Sequence, residues 1–237
     1  MSRLDWLLWV ALPYLAIAAF AVGHVWRWRR DQFGWTARST QLLERRLLLP
    51  GSLLFHFGLL AAIGGHILGI LVPASWTDAV GISHDAYHWL SILAGGTAAI
   101  AVCLGLAILL YRRISNARVR ATTLRSDLLM YPLLAFTIAT GTLVTFWSNA
   151  IDEYPYRETV APWFRGLFSL DPDPELLGGA PFVVQAHLVA AWLLFAIWPF
   201  TRLVHVWSVP LQYLARPPIA YRARVRRSPV SRRAPLP

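Results

Sequence analysis

The stretch that decides the fold is residues 52–73, SLLFHFGLLAAIGGHILGILVP. It is apolar and long enough to cross a bilayer as a helix, which takes about 20 residues. It nevertheless contains histidines, which are costly in hydrocarbon, and glycines, which weaken a helix. Polar residues inside a membrane helix indicate a functional site. The histidines of this stretch are His56 and His66, and its glycines are Gly58, Gly64, Gly65 and Gly69.

The whole chain has the composition of a polytopic membrane protein. Of its 237 residues, 57% are hydrophobic and only 14% are charged, which is unlike a soluble domain. Several apolar segments reach the length that a bilayer requires. We therefore predict an all-α fold with five transmembrane helices, spans 1 to 5. Their approximate bounds are 4–28, 52–72, 87–110, 128–150 and 182–207.

The basic residues predict the topology. The net charge is +10, and all 22 basic residues are arginine. A basic excess can indicate nucleic-acid binding, but 18 of these arginines lie in the segments 27–46, 112–125 and 216–233. That alternation is the positive-inside pattern, so these segments are predicted to be cytoplasmic, with the N-terminus outside and no nucleic-acid partner.

Two further divisions of the chain follow from composition. Residues 1–215 are predicted to form the membrane domain, and residues 216–237 an Arg- and Pro-rich cytoplasmic tail. In the outer loop, the segment YRETVAPWFRGLFSL (156–170) predicts a short helix at the membrane interface, since Trp and Phe favour that depth.

Four of the seven histidines lie in spans 2 and 5. These spans run in opposite directions, so antiparallel packing puts His66 opposite His187 toward the outside and His56 opposite His205 toward the cytoplasm. Two facing imidazoles are the axial ligands of a six-coordinate b-type haem. A zinc or copper site would instead need clustered ligands. The sequence therefore predicts two b haems, one at each depth.

The glycines of span 2 have two interpretations. A flat porphyrin between helices needs backbone without side chains, which Gly58, Gly65 and Gly69 supply. The same residues suit close helix packing, since Gly65 and Gly69 form a G-x-x-x-G pattern. If span 5 were one α-helix, its histidines would lie about 27 Å apart, against about 15 Å in span 2. The difference predicts tilted helices, with a bend at Pro199.

Four segments resemble the gamma subunit of bacterial membrane-bound respiratory nitrate reductase: FHFGLLAAIGGH (55–66), LAGG (93–96), RVRATT (118–123) and FTRLVHVWSVPLQYLAR (200–216). The resemblance extends to about residue 226. It implies a five-helix cytochrome b of the bacterial cell membrane, with two haems held by the same histidine pairs. It further implies that the protein oxidises membrane quinol. The electrons would pass to an iron–sulfur beta subunit and a molybdenum-containing alpha subunit in the cytoplasm, where nitrate is reduced.

The resemblance places quinol oxidation beside the outer haem, often with a lysine at the start of span 3. This sequence has no lysine. Tyr87 and His88 are therefore the candidates for binding quinol, with His84 a weaker one and Gly65 providing room. A histidine with a pKa near 6.5 can accept a proton at working pH.

Arginines are the candidates for the inner haem and for the partner subunits. Arg112 and Arg202 are predicted to face the haem propionates near His205. Together with Arg113, Arg118, Arg120 and the tail, Arg112 is also predicted to form a docking surface for the partners, although lipid headgroups could bind the same charges.

Two alternatives remain from the sequence. One is the haem b subunit of a related complex of the sulfite- or heterodisulfide-reductase type, which can share the plan of two helices and four histidines. The other is a transporter or proton channel that uses histidine relays. A colourless purified protein would exclude haem and favour the second alternative.

Overall fold

The computed structural model describes residues 2–208, and this part of the chain is helical with no strand. Within these residues, five helices are long and apolar enough to cross a membrane, as predicted. The predicted tail, residues 216–237, lies outside the described residues. Spans 1 to 5 are Arg3–Arg30, Leu48–Leu71, His84–Ser115, Arg125–Asn149 and Phe182–Phe200.

Glycines permit the extensive contact between spans 2 and 3. A Cβ at Gly105 would collide with the backbone of Phe55, and a Cβ at Gly58 would lie 2.9 Å from the backbone nitrogen of Val102. Side chains at these positions would push the two helices apart. For Gly58, close helix packing is therefore the interpretation that the structure supports.

Two hydrophobic clusters lie at different depths of the bundle. We call the end where spans 2 and 4 finish the His66 end, and the opposite end the His56 end.

The helix predicted in the loop before span 5 is present as Val160–Ser169. Its apolar face is buried, and Trp163 Nε1 donates to Trp9 O at 2.9 Å. Trp9 and Trp163 belong to the cluster at the His66 end, and the second cluster contains Phe55, Val102, Leu106, Met130, Leu134 and Leu194.

Three spans contain π-helical turns that hydropathy does not reveal. They are Leu7–Ala11 in span 1, Ile67–Leu71 in span 2 and Val144–Asn149 in span 4. Such turns are frequent at functional sites because they rotate the side chains that follow. The turn in span 2 begins directly after His66.

The predicted extent of span 5, to residue 207, is wrong, and the bend expected at Pro199 is a break in the helix. The α-helix ends at Ile197, a 3₁₀ turn covers Trp198–Phe200, and Thr201 is extended before a second 3₁₀ helix, Arg202–Ser208. The cause is Pro199, which has no N–H to continue the helix. His205 therefore belongs to a separate short helix, and the separation of about 27 Å expected for a continuous α-helix does not apply.

Span 1 stabilises this break. Arg27 NH1 donates to the carbonyl oxygens of Pro199 at 2.6 Å and Thr201 at 3.0 Å, which flank the end of the 3₁₀ turn. Gly23 permits the approach, since a Cβ there would lie 2.8 Å from Pro199 Cβ.

Candidate functional site

The structure brings together both predicted histidine pairs. The ring centres of His66 and His187 are 6.2 Å apart, and those of His56 and His205 are 6.0 Å apart. The first pair joins span 2 to span 5, and the second joins span 2 to the short helix that follows span 5. The two pairs lie at opposite ends of the bundle, as antiparallel packing requires.

These separations fit two imidazoles that share one metal ion. A ring nitrogen binds a transition metal at about 2 Å, which puts the ring centre about 3 Å from the metal. Two opposed rings on one ion therefore have centres about 6 Å apart. Both pairs have this spacing, so the residues present fit the axial ligation of a haem iron.

The hydrogen bonds of all four histidines select the same tautomer. In each ring, Nδ1 lies within 3.0 Å of a backbone carbonyl oxygen. A carbonyl oxygen can only accept, so Nδ1 is the donor and Nε2 keeps its lone pair free for a metal. The acceptors are Ser52 O for His56, Ala62 O for His66, Thr137 O for His187 and Arg202 O for His205.

Span 4 holds His187 in place, which the sequence analysis missed. Besides the bond to Thr137 O, Nδ1 of His187 lies 3.3 Å from Thr140 Oγ1. Gly141 leaves room for the ring, since a Cβ there would lie 2.8 Å from His187 Cε1. The signal in the sequence was the run TIATG at 137–141, whose small and hydroxylated residues suit close contact with another helix.

The remaining glycines of span 2 differ in their surroundings. Nothing lies within 4 Å of the side-chain position of Gly64 or Gly65, so bare helix backbone faces open space beside His66. Such a surface can accept a flat ring system. At Gly69 a Cβ would lie 3.1 Å from the ring of Tyr156 and 3.2 Å from Tyr87 Oη, so this glycine makes room for tyrosines.

An ion pair positions the short helix that contains His205. Arg202 Nε donates to Asp127 Oδ1 at 2.7 Å, and its NH2 group donates to Oδ2. Asp127 is fully buried at the start of span 4. The carbonyl of Arg202 accepts the Nδ1–H of His205, so the ion pair acts on the orientation of the imidazole. The sequence analysis did not identify Asp127, whose only signal was a single acid inside an arginine-rich stretch.

Arg112 is buried and holds the connection between spans 1 and 2. Its guanidinium donates to Glu44 Oε2 at 2.5 Å and to Thr40 Oγ1 at 2.9 Å, and also to both backbone carbonyls. The backbone N–H of Leu47, together with Arg112, lowers the pKa of Glu44 and keeps it ionised. With 2% of its surface exposed, Arg112 cannot form part of a docking surface, and that prediction is wrong. Arg118 and Arg120 are exposed.

The predicted quinol residues lie at the His66 end in different environments. Tyr87 is buried, and its ring lies 3.9 Å from the guanidinium of Arg157. Tyr156 Oη donates to Tyr87 Oη at 3.4 Å, and burial raises the pKa of Tyr156, so it remains a neutral donor. His88 is partly buried, whereas the side chain of His84 is 85% exposed.

Tyr156 and Arg157 were missed by the sequence analysis as residues of this site. They come from the loop after span 4, and only packing brings them against the start of span 3. The pattern that could have indicated them is YPYRE at 154–158, where aromatic and charged residues follow directly on a span.

Comparison with known proteins gives one consistent result. Residues 5–224 match the family model described as nitrate reductase gamma subunit. The chain is 45% identical over 218 residues to the nitrate reductase gamma chain of Bacillus subtilis (strain 168), which is 92% of this chain and 98% of that protein.

Two further relatives differ in how much of their own length the match covers. The respiratory nitrate reductase 1 gamma chain of Escherichia coli (strain K12) is 35% identical over 214 residues, covering 90% of this chain and 94% of that protein. The nitrate reductase-like protein NarX of Mycobacterium tuberculosis (strain ATCC 25618 / H37Rv) is 44% identical over 220 residues, which is 92% of this chain but only 34% of that larger protein.

Proposed function

The chain belongs to the nitrate reductase gamma subunit family, and from this we propose that it is the dihaem cytochrome b subunit of a membrane-bound respiratory nitrate reductase. With five apolar helices it is a multi-pass protein of the cell membrane. The observation that supports the haem proposal most strongly is the shared geometry of the four histidines. Each pair has the spacing for one metal, and each ring presents Nε2 as the free ligand atom.

In this proposal His66 and His187 hold one haem b, and His56 and His205 hold the other. A bound haem supplies an iron that accepts and releases one electron at a time. The protein fixes each ring through its Nδ1–H bond, as is common for histidines that bind metals. The bare backbone at Gly64 and Gly65 would accept the haem at the His66 end. Arg202 is the arginine proposed to serve the propionates at the other end.

The direction of electron flow follows from the proposed topology. The N-terminus lies outside and the arginine-rich connections lie in the cytoplasm, so the His66 end is the outer end. Quinol is apolar and reaches its site from the lipid. Oxidation at the outer end releases two protons to the outside, while two electrons pass inward. The electrons reach an iron–sulfur beta subunit and then a molybdenum-containing alpha subunit, where nitrate is reduced.

The quinol site is proposed beside the His66–His187 haem, where Tyr87 and His88 meet the loop after span 4. Tyr87 offers a hydroxyl proton, and the imidazole of His88 offers a base. His84 is too exposed to enclose a ligand, so it is the weakest of the candidates. Gly65 leaves room on the same side of span 2.

Quinol-driven haem reduction tests this function. In the purified complex, a short-chain benzoquinol or naphthoquinol is expected to reduce both haems, and nitrate to reoxidise them. Tyr87→Phe and His88→Ala should slow the reduction on the order of 10²-fold, the loss typical of a removed general acid or base. Both variants should retain their haems in the absorption spectrum. Reduction at the parent rate in both variants would place the quinol site elsewhere.

The tail and the exposed arginines Arg118 and Arg120 are proposed to dock the partner subunits. Residues 1–215 are the membrane domain in this proposal, and 216–237 the cytoplasmic tail. Deleting 216–237 should reduce the yield of intact complex several-fold at physiological salt, because charge pairs with the partners are lost. Both haems should remain. Deleting only 228–237 preserves most of the tail arginines and is the control. An undiminished yield of complex after the longer deletion would exclude the tail from docking.

A further inference from the structure

Arg157 has a buried donor without an acceptor. Both terminal nitrogens of its guanidinium donate to Thr77 Oγ1 at 3.1 Å. Its Nε, in contrast, is buried and has no hydrogen-bond partner. A buried N–H of a charged group is costly to leave unpaired, and most such groups in proteins have a partner. The unpaired Nε therefore points to a ligand atom that completes the site.

The surroundings of Arg157 supply a second donor. The guanidinium lies over the ring of Tyr87, 3.9 Å from its centre. Because Tyr87 Oη accepts a hydrogen bond from Tyr156, its own proton is available to donate. Tyr87 Oη lies against Gly69, three residues after His66. Tyr87 Oη and the guanidinium stacked on its ring thus lie at the end of span 2 that contains His66.

These features favour a small aromatic ligand with oxygen acceptors. The edge of Arg157 formed by its two terminal nitrogens is already occupied by Thr77, which leaves the Nε–H as the donor for a ligand. The Nε–H can donate to a single oxygen. The guanidinium stays charged at all working pH values, so it does not accept the ligand's proton, and it favours the ionised form of a hydroxyl beside it.

We propose that Arg157 donates its Nε–H to one oxygen of the quinol head group and so determines the affinity of the site beside His66. This proposal rests on the proposed function, since it assumes that quinol binds at the His66 end. Arg157 binds substrate and does not transfer protons. Its removal should therefore raise KM for quinol far more than it lowers kcat.

The test compares two variants with a matched control in the intact complex. Arg157→Gln removes the charge and the Nε–H, and Arg157→Lys preserves only the charge. Arg165→Gln is the control, because Arg165 lies in the same connection and binds a backbone carbonyl, that of Ile70, at 2.8 Å. The measurements are KM and kcat for nitrate reduction driven by a short-chain quinol, the inhibition constant of the corresponding quinone, and the haem spectrum.

We expect Arg157→Gln to raise KM and the quinone inhibition constant by about tenfold or more, the effect of a lost hydrogen bond to a charged group. Arg157→Lys should give a smaller rise, and Arg165→Gln should match the parent. Parent values of both constants in both Arg157 variants would overturn the proposal. If the Arg157→Gln complex fails to assemble, Arg157→Lys alone tests the proposal, and parent values of KM and of the quinone inhibition constant in that variant would overturn it. A parent complex whose haems quinol cannot reduce would instead contradict the proposed function itself.

Discussion

Alanine at His66 or His187 is expected to remove one haem b from the protein and leave the other in place, and alanine at His56 or His205 is expected to do the reverse. The reason is that, in the proposed arrangement, each iron would take one ligand from each ring of a pair, whose centres are 6.2 Å and 6.0 Å apart. Loss of one imidazole leaves an iron with a single protein ligand and an unfilled space beside it. The haem content per chain should fall by half, with a different spectral component lost in each pair.

His24→Ala is the matched control for these four variants. His24 also lies in a membrane span, and its Nδ1 also contacts a carbonyl four residues earlier, that of Phe20 at 2.7 Å. It belongs to neither pair, so the variant should retain both haems. If His66→Ala and His56→Ala removed the same spectral component, the assignment of the pairs to two separate haems would be wrong.

Replacing Asp127 with asparagine is expected to remove or severely weaken the haem held by His56 and His205 while sparing the other. Asp127 is fully buried and neutralises Arg202, whose carbonyl holds the imidazole of His205. Removing one partner of a buried ion pair typically costs about 3–5 kcal/mol, because the other charge is left without compensation. The short helix Arg202–Ser208 should then lose its attachment to span 4.

The measurement is the haem content and the midpoint potential of each spectral component in the membrane-embedded complex. Glu44→Gln is the control, because Glu44 forms an ion pair with a different buried arginine, Arg112, at 2.5 Å. It should retain both haems at parent potentials. Equal loss of both haems in Asp127→Asn, or no change in either, would show that Asp127 does not act through His205.

The helices and the histidine pairs were predictable because they depend on local and directional properties of the chain. Hydropathy alone gives five spans, and their alternating direction gives the partners of His56 and His66. The resemblance at residues 200–216 also gave the family correctly, as the match over residues 5–224 confirms. The helix at Val160–Ser169 was visible in its aromatic and apolar pattern.

The end of span 5 was not clear from the sequence pattern, because apolar residues recur through 198–207, although Arg202 and His205 interrupt them. Pro199 indicated a bend, but whether the helix resumes depends on Arg27, which comes from span 1 and caps the freed carbonyls. The sequence analysis therefore put His205 on the same helix as His187, bent at Pro199, whereas it lies on a separate 3₁₀ helix.

The polar residues around the histidines were missed for a similar reason. Asp127, Tyr156 and Arg157 lie at the ends of spans or in connections, where charged and aromatic residues are ordinary. Their significance comes from contacts with Arg202, Tyr87 and Thr77, which are distant in sequence. Arg112 shows the opposite error: its position predicted an exposed charge, yet the segment 40–44 folds back over it.

The number of haems per chain in the purified parent protein tests the central claim most directly. It is obtained by comparing the haem b content, measured by extraction and absorption, with the protein concentration from amino-acid analysis. The two histidine pairs predict two haem b per chain, each low-spin with two imidazole ligands. One haem per chain, or a haem iron with a ligand other than histidine, would contradict the account.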